Sequence, residues 1–378
     1  MSMRVRLIVI TAALATVAAL TACSPGGNGP ADDRQTATPA SPSGPGPGSL
    51  WVADEGGNSL TVVDTATNAV VATVTGIREP HNVQVGRDGT TVYAVSGGTD
   101  TVVAIDPVRY AVNAVAPTGD GPAHVIEAPN GKVYVSDSED GTVSVFQGPG
   151  LTPVGRIELG GMPHGLRPAA GGSVIVVANT MDDKLDLIDP ATDRTTGAIA
   201  VGKAPVQVAV TADGRYAYTG IAEPPSVVKV DLVSRTVVSS VAVPTMPVQL
   251  YLTPDEKTVL SANQGTSDKP GSTVSAIDTS AMTVRGLVDT GPGPHGVVID
   301  DTGSRAWVTN TFGDTVSAID VDNRLTVATI GVGKSPNGIS YSSRPPAAPA
   351  GPTVTLDMPA PPSPRPGEDA GPGGGHGH

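Results

Sequence analysis

The stretch PHNVQVGRDGTTVYAVSGGTDTVVAIDPVRYAVNAVAPTGDG, Pro80 to Gly121, contains four short strand signals in a row. HNVQV alternates apolar and polar residues, Asp88-Gly89 is a tight-turn pair, and TVYAV follows it. Gly97-Gly98 opens a loop before TVVAID, and AVNAVA closes the unit. Five- to six-residue runs of Val, Ile, Thr and Tyr punctuated by Gly and Asp are what a small antiparallel sheet requires.

The unit recurs. Prolines that precede an alternating run fall at Pro80, Pro122, Pro163, Pro205, Pro247, Pro294 and Pro336, separated by 42, 41, 42, 42, 47 and 42 residues. The bulky residue of the next strand keeps nearly the same step: Trp51, Tyr93, Tyr134, Val176, Tyr218, Leu260 and Trp307. So does the acid that ends a Val/Ile run: Asp64, Asp106, Asp189, Asp231, Asp278 and Asp320, with Gln147 in its place once. Seven units of about 40 residues with four strands each predict an all-β, seven-bladed β-propeller of four-stranded antiparallel blades. The repeats span 50–343, starting on a second strand (LWVAD) and ending on a first strand, Asn337 to Ser342. The last strand is therefore expected to pair with the N-terminal blade and close the ring.

Composition agrees. Apolar residues make up 39% of the chain but Phe, Trp and Tyr only 3%, so the core must be built from Val, Ile, Leu and Ala. The 47 Gly and 36 Pro suit many turns. A formal charge of −13 repels phosphate backbones, so no nucleic-acid partner is expected, and attraction of cations is. Nothing in the repeat calls for a second copy, and a monomer is expected.

The N-terminus reads as an address. Arg4 and Arg6 precede the apolar run Leu7 to Leu20, which has signal-peptide length. Leu20-Thr21-Ala22-Cys23 resembles the bacterial lipobox, which implies cleavage after residue 22 and lipid on Cys23, the only cysteine. Residues 23–49 form a Pro/Gly/Ser-rich tether and 344–378 a Pro/Gly-rich tail ending in His, both expected to lack structure. The expected location is outside the cytoplasm, lipid-anchored to the outer face of the cytoplasmic membrane.

The repeat resembles the family named for its YVTN motif, through WVTN at Trp307 to Asn310, YVSD at Tyr134 to Asp137, WVAD at Trp51 to Asp54, TVSAID at Thr315 to Asp320 and Pro-His-Gly at Pro294 to Gly296. The resemblance covers about four-fifths of the chain and implies the fold. Similar proteins include archaeal surface proteins, lactonases, streptogramin lyases, and the propellers of haem-binding nitrite reductases and copper-containing nitrous oxide reductases, so it does not decide an activity.

Candidate chemistry sits on the loops that lead into the innermost strands. One place past the anchor proline lie His81, His164, His295 and Asn337; two places past it lie His124, Gln207 and Gln249. Four of the six histidines thus converge on one mouth of the channel. These seven residues are the candidate ligand-binding set, with His81, His164 and His295 as the candidate ligands of Cu or Zn. The loops between second and third strands carry Asp54, Glu55, Asp100, Glu139, Asp140, Asp182, Asp183, Asp268 and Asp314, expected to make that end negative or simply solvated. The loop Gln264 to Ser272 is five residues longer than its equivalents. No nucleophile elbow, zincin motif or phosphate loop is present, and no catalytic residue can be named. Three readings stay open. The first is a binding module for a protein, glycan or metal ion. The second is a lactonase- or lyase-type enzyme using the mouth histidines, and the third a transition-metal or haem-binding redox or carrier protein.

Overall fold

The computed structural model describes residues 46–359. The expected signal peptide, Cys23 and most of the tether lie outside the described residues, as does the chain from 360 onward.

Seven sheets form the seven blades. Blade 1 is built from Ser49–Asp54, Ser59–Asp64 and Ala69–Thr75, and its innermost strand is the far end of the chain, Pro336–Ser342. The pairing is antiparallel, with Ser49 opposite Ser342, Leu50 opposite Tyr341 and Trp51 opposite Ser340. The ring closes as the sequence predicts. Blades 2 to 7 follow in order, each a meander of four consecutive strands. In blade 2 these are Val83–Val85, Val92–Ser96, Thr101–Asp106 and Ala111–Pro117.

Alternation along each strand explains the packing. Leu50 and Val52 face blade 7, whereas Trp51 and Ala53 face blade 2. Both faces of every sheet are covered, so inner strands read as nearly continuous apolar runs. The core is accordingly seven clusters, one between each pair of neighbouring blades. All seven bulky anchors, from Trp51 to Trp307, are buried in them.

The repeated acid has a local cause. The carboxylate of Asp64 accepts the N–H groups of Ala66 and Thr67, Asp106 those of Val108 and Arg109, and Asp278 those of Ser280 and Ala281. Each fastens the turn between third and outer strand.

Two regions depart from expectation. The long loop is a hairpin: Thr258–Gly265 and Pro270–Asp278 run on past the usual strand ends, with Gly265 opposite Pro270. The tail does not lose structure at Arg344. Thr353–Thr355 lies parallel to the outer strand of blade 1, pairing with Thr73, Val74 and Thr75. Leu356 is buried beside it, and the Tyr110 hydroxyl donates to the carbonyl of Ala347 at 2.8 Å. A β-rich TVTL segment within a Pro/Gly-rich tail thus buries apolar surface against blades 1 and 2.

Candidate metal centre at one mouth of the channel

The innermost strand begins at the anchor proline in five blades and three residues after it, at Val83 and Val208, in blades 2 and 5, so residues one and two places past each proline stand together at one end of the channel. Gly165 and Gly296 in the Pro-His-Gly strings are needed for close approach. A Cβ on Gly165 would collide with the side chain of Gln207, and one on Gly296 with the carbonyl of Asn337. Neighbouring inner strands touch there, and this draws the imidazoles into contact.

The ring centroids of His124 and His164 lie 4.8 Å apart, those of His81 and His164 5.1 Å, and those of His81 and His124 5.5 Å. One ring nitrogen from each of these three lies within 4.8 Å of the other two. His295 flanks the group, its centroid 6.2 Å from that of His81. The tightest trio therefore includes His124, two places past its proline, rather than the expected His295. The bulge between Pro122 and His124 turns that residue toward the others.

Each ring is held by its second nitrogen. Nδ1 of His164 donates to the carbonyl of Val206 at 3.1 Å, which leaves Nε2 with a free lone pair. Nδ1 of His81 lies 3.0 Å from Oε1 of Glu55, and its Nε2 is buried without a partner. The amide of Asn337 donates to Oε2 of Glu55 at 2.7 Å. The amide of Gln207 lies 3.3 Å from Nδ1 of His124 while its oxygen accepts the N–H of Val208. That donation places the proton of the His124 ring on Nε2. Gln249 stands apart: its amide is 3.5 Å from the carbonyl of Val297, and its oxygen is buried unpaired.

The electrostatics suit a cation. Burial, reinforced by the neighbouring rings, pushes His164 and His295 down to about 3 and His124 well below the ordinary imidazole value. Burial alone would raise Glu55, but the hydrogen bond and charge of His81 outweigh it and hold the carboxyl at about 2. His124, His164 and His295 are thus kept neutral near one carboxylate, the protonation state that metal coordination needs.

Most of the other loop acids are committed elsewhere. Asp100 accepts the N–H of Gly121, Asp140 that of Asp120, Asp183 that of Ala204 and Asp314 that of Ser335. Asp100, Asp183 and Asp314 fasten their loops to the leading loop of the next blade, and Asp140 fastens its loop to the leading loop of its own. Asp54 is fully buried and accepts from Ser59, Thr61 and Gly333. Among the described hydrogen bonds, Glu55 is the one acid that reaches a histidine.

No protein-family model matches the sequence, and no curated protein matches it either. Solved structures do resemble it. A candidate 6-phosphogluconolactonase from Bacteroides fragilis is 18% identical, with 78% of this chain and 98% of that one covered and a TM-score of 0.66. Hydrazine synthase of Kuenenia stuttgartiensis is 18% identical over 70% of this chain and 90% of that one, with a TM-score of 0.64. The dihydro-haem d1 dehydrogenase NirN is 13% identical over 77% and 74%, with a TM-score of 0.59. At these identities the likeness is one of fold: the chain is a seven-bladed β-propeller with lactonase-like structural neighbours.

Proposed function

We propose that this chain is a binding propeller whose ligand is a divalent transition metal, Zn²⁺ or Cu²⁺, held by His81, His124 and His164 with Glu55 behind His81. One observation carries the reading: three imidazoles from three different blades present ring nitrogens within 4.8 Å of one another. Packing three such groups together costs desolvation, and a shared cation offsets it. The carbonyl of Val206 and the carboxylate of Glu55 hold the rings of His164 and His81 by Nδ1, as such partners orient the ligands of metal sites.

The charged n-region, the run Leu7 to Leu20 and the lipobox-like Leu20-Thr21-Ala22-Cys23 support an exported, lipid-anchored protein. The YVTN-like strings support membership of that repeat family. Mass spectrometry of the N-terminal peptide tests the anchor: acyl chains on Cys23 are expected, and a free thiol on the mature protein excludes them.

The metal reading is tested by elemental analysis of the mature, untagged chain after brief chelation and reloading with Zn²⁺ or Cu²⁺. About one equivalent is expected, abolished by H81A/H164A and retained in H376A/H378A, which removes the tail histidines. A chain that holds no stoichiometric metal, or holds it equally well without His81 and His164, excludes the reading.

The Glu55–His81 pair favours one alternative. A carboxylate that orients an imidazole also builds a general base, as a lactonase or lyase would use. Hydrolysis of sugar lactones by the metal-free chain, lost in H81A, would place this reading ahead of the first.

A further inference from the structure

The far end of the channel has a different character. Four places past the anchor prolines the inner strands carry Gln84, Ile126, Arg167, Ala209, Tyr251, Val298 and Ser340. Arg167 is the single charge in that ring, about 10 Å along its strand from His164 at a strand rise of about 3.3 Å per residue. The first five of these residues line a cavity of about 400 Å³ that opens at the mouth opposite the histidines.

Arg167 lacks a counter-ion. Its guanidinium donates to the carbonyl of Leu166 at 3.2 Å, and it makes no ion pair among the described residues. The two nearby carboxylates lining the cavity are engaged with backbone: Glu127 accepts the N–H of Arg87 at 2.7 Å, and Glu256 that of Ala212. No N–H group of Arg167 is sealed off without a partner, so those not given to Leu166 remain open to a ligand. Its planar fork fits a carboxylate with two parallel hydrogen bonds. Gln84 and Tyr251 add polar groups at the same level, while Ile126, Ala209 and Leu250 supply an apolar wall.

We propose that this cavity is a second ligand site, in which Arg167, aided by Gln84 and Tyr251, takes the carboxylate of a small organic acid whose apolar body lies against Ile126 and Ala209. The cavity volume falls in the range of small-molecule sites, and a few convergent polar groups on an apolar lining are their usual composition. The site is separate from the metal centre: it shares the channel but none of the imidazoles.

Calorimetric titration of the full chain, stripped of metal, tests it with benzoate and with inorganic phosphate as probes. Benzoate is expected to bind once per chain. Its affinity should fall at least roughly tenfold in R167Q, fall less in R167K, and stay unchanged in H81A/H164A. Raising NaCl from about 20 to about 200 mM should weaken wild-type binding, because chloride competes for the guanidinium and screens it. The salt series and R167K carry the test if R167Q does not fold. Absence of saturable benzoate binding, salt-independent binding, equal binding by folded R167Q, or phosphate binding at least as tight as benzoate each overturns the assignment. Loss of benzoate binding in H81A/H164A overturns the independence of the two sites.

Discussion

Nδ1 of His81 and Oε1 of Glu55 lie 3.0 Å apart across the junction of blades 2 and 1, and Asn337 from the closing strand holds the other oxygen of Glu55. A mouth residue is thus oriented by groups that come together only when the ring shuts. Glu55→Gln replaces the carboxylate by a neutral amide that polarises the imidazole less. Zn²⁺ affinity is expected to fall roughly 10- to 100-fold with little change in melting temperature. Competition with a fluorescent chelator measures this; an unchanged affinity would remove Glu55 from the site.

Gln207 provides a test of opposite sign. Its amide donates to Nδ1 of His124, so the Nε2 of that ring carries a proton that a metal must displace. Gln207→Glu offers only acceptors. It would draw the proton to Nδ1, free the Nε2 lone pair and add a negative charge. Tighter metal binding is expected, by several-fold, together with a less stable metal-free protein, since the residue is buried. Weaker binding in this variant would show that His124 does not coordinate through Nε2.

What could be read from the chain had causes within a blade. The anchor proline leads into the inner strand, and the repeated acid accepts N–H groups two and three residues ahead; both leave a mark at a fixed spacing. The histidines were legible for the same reason. Glu55 was not separable from Asp100, Asp183 or Asp314, because all occupy the same acidic loops and only the packing of blade 1 on blade 2 directs Glu55 inward. Arg167 looks like any charge on a strand until the ring places it alone in a cavity. The strap at Thr353–Thr355 was hidden by the prolines and glycines around it.

Asp137 links the repeat to pH. Burial, only partly countered by hydrogen bonds from Ser144 and Thr142, pushes its carboxyl from 3.8 up to about 7. Oδ1 has no partner. Asn263 and Asn310 occupy the equivalent position in blades 6 and 7, each donating through Nδ2 to two hydroxyls on the neighbouring strand. Because the folded state binds the Asp137 proton more tightly than the unfolded chain, its contribution to stability is complete below about pH 4 and is lost as pH rises through about 7. Asp137→Asn should remove that slope and raise stability at pH 8 by roughly 1–3 kcal/mol. Melting curves from pH 4 to pH 8 decide it; a variant less stable than the parent at pH 8 would contradict the raised value.

The two C-terminal segments should differ in weight. A chain ending at Ser343 keeps Pro336–Ser342 paired with Ser49–Asp54 but loses the strap, and with it the burial of Leu356. The cost should be comparable to truncating one or two buried side chains, roughly 2–5 kcal/mol, and the protein should still melt in one transition. A chain ending at Val332 loses the innermost strand of blade 1. Ser49–Asp54 then keeps Ser59–Asp64 but loses its inner partner strand, Trp307 loses the Tyr341 ring stacked on it at 5.5 Å, and Ile339 leaves the cluster between blades 7 and 1. An open ring exposes a sheet edge and two apolar faces at once. Near-ultraviolet circular dichroism is expected to show no cooperative unfolding for this shorter chain. A sharp transition near that of the full-length protein would mean that closure by the last strand does not hold the propeller together.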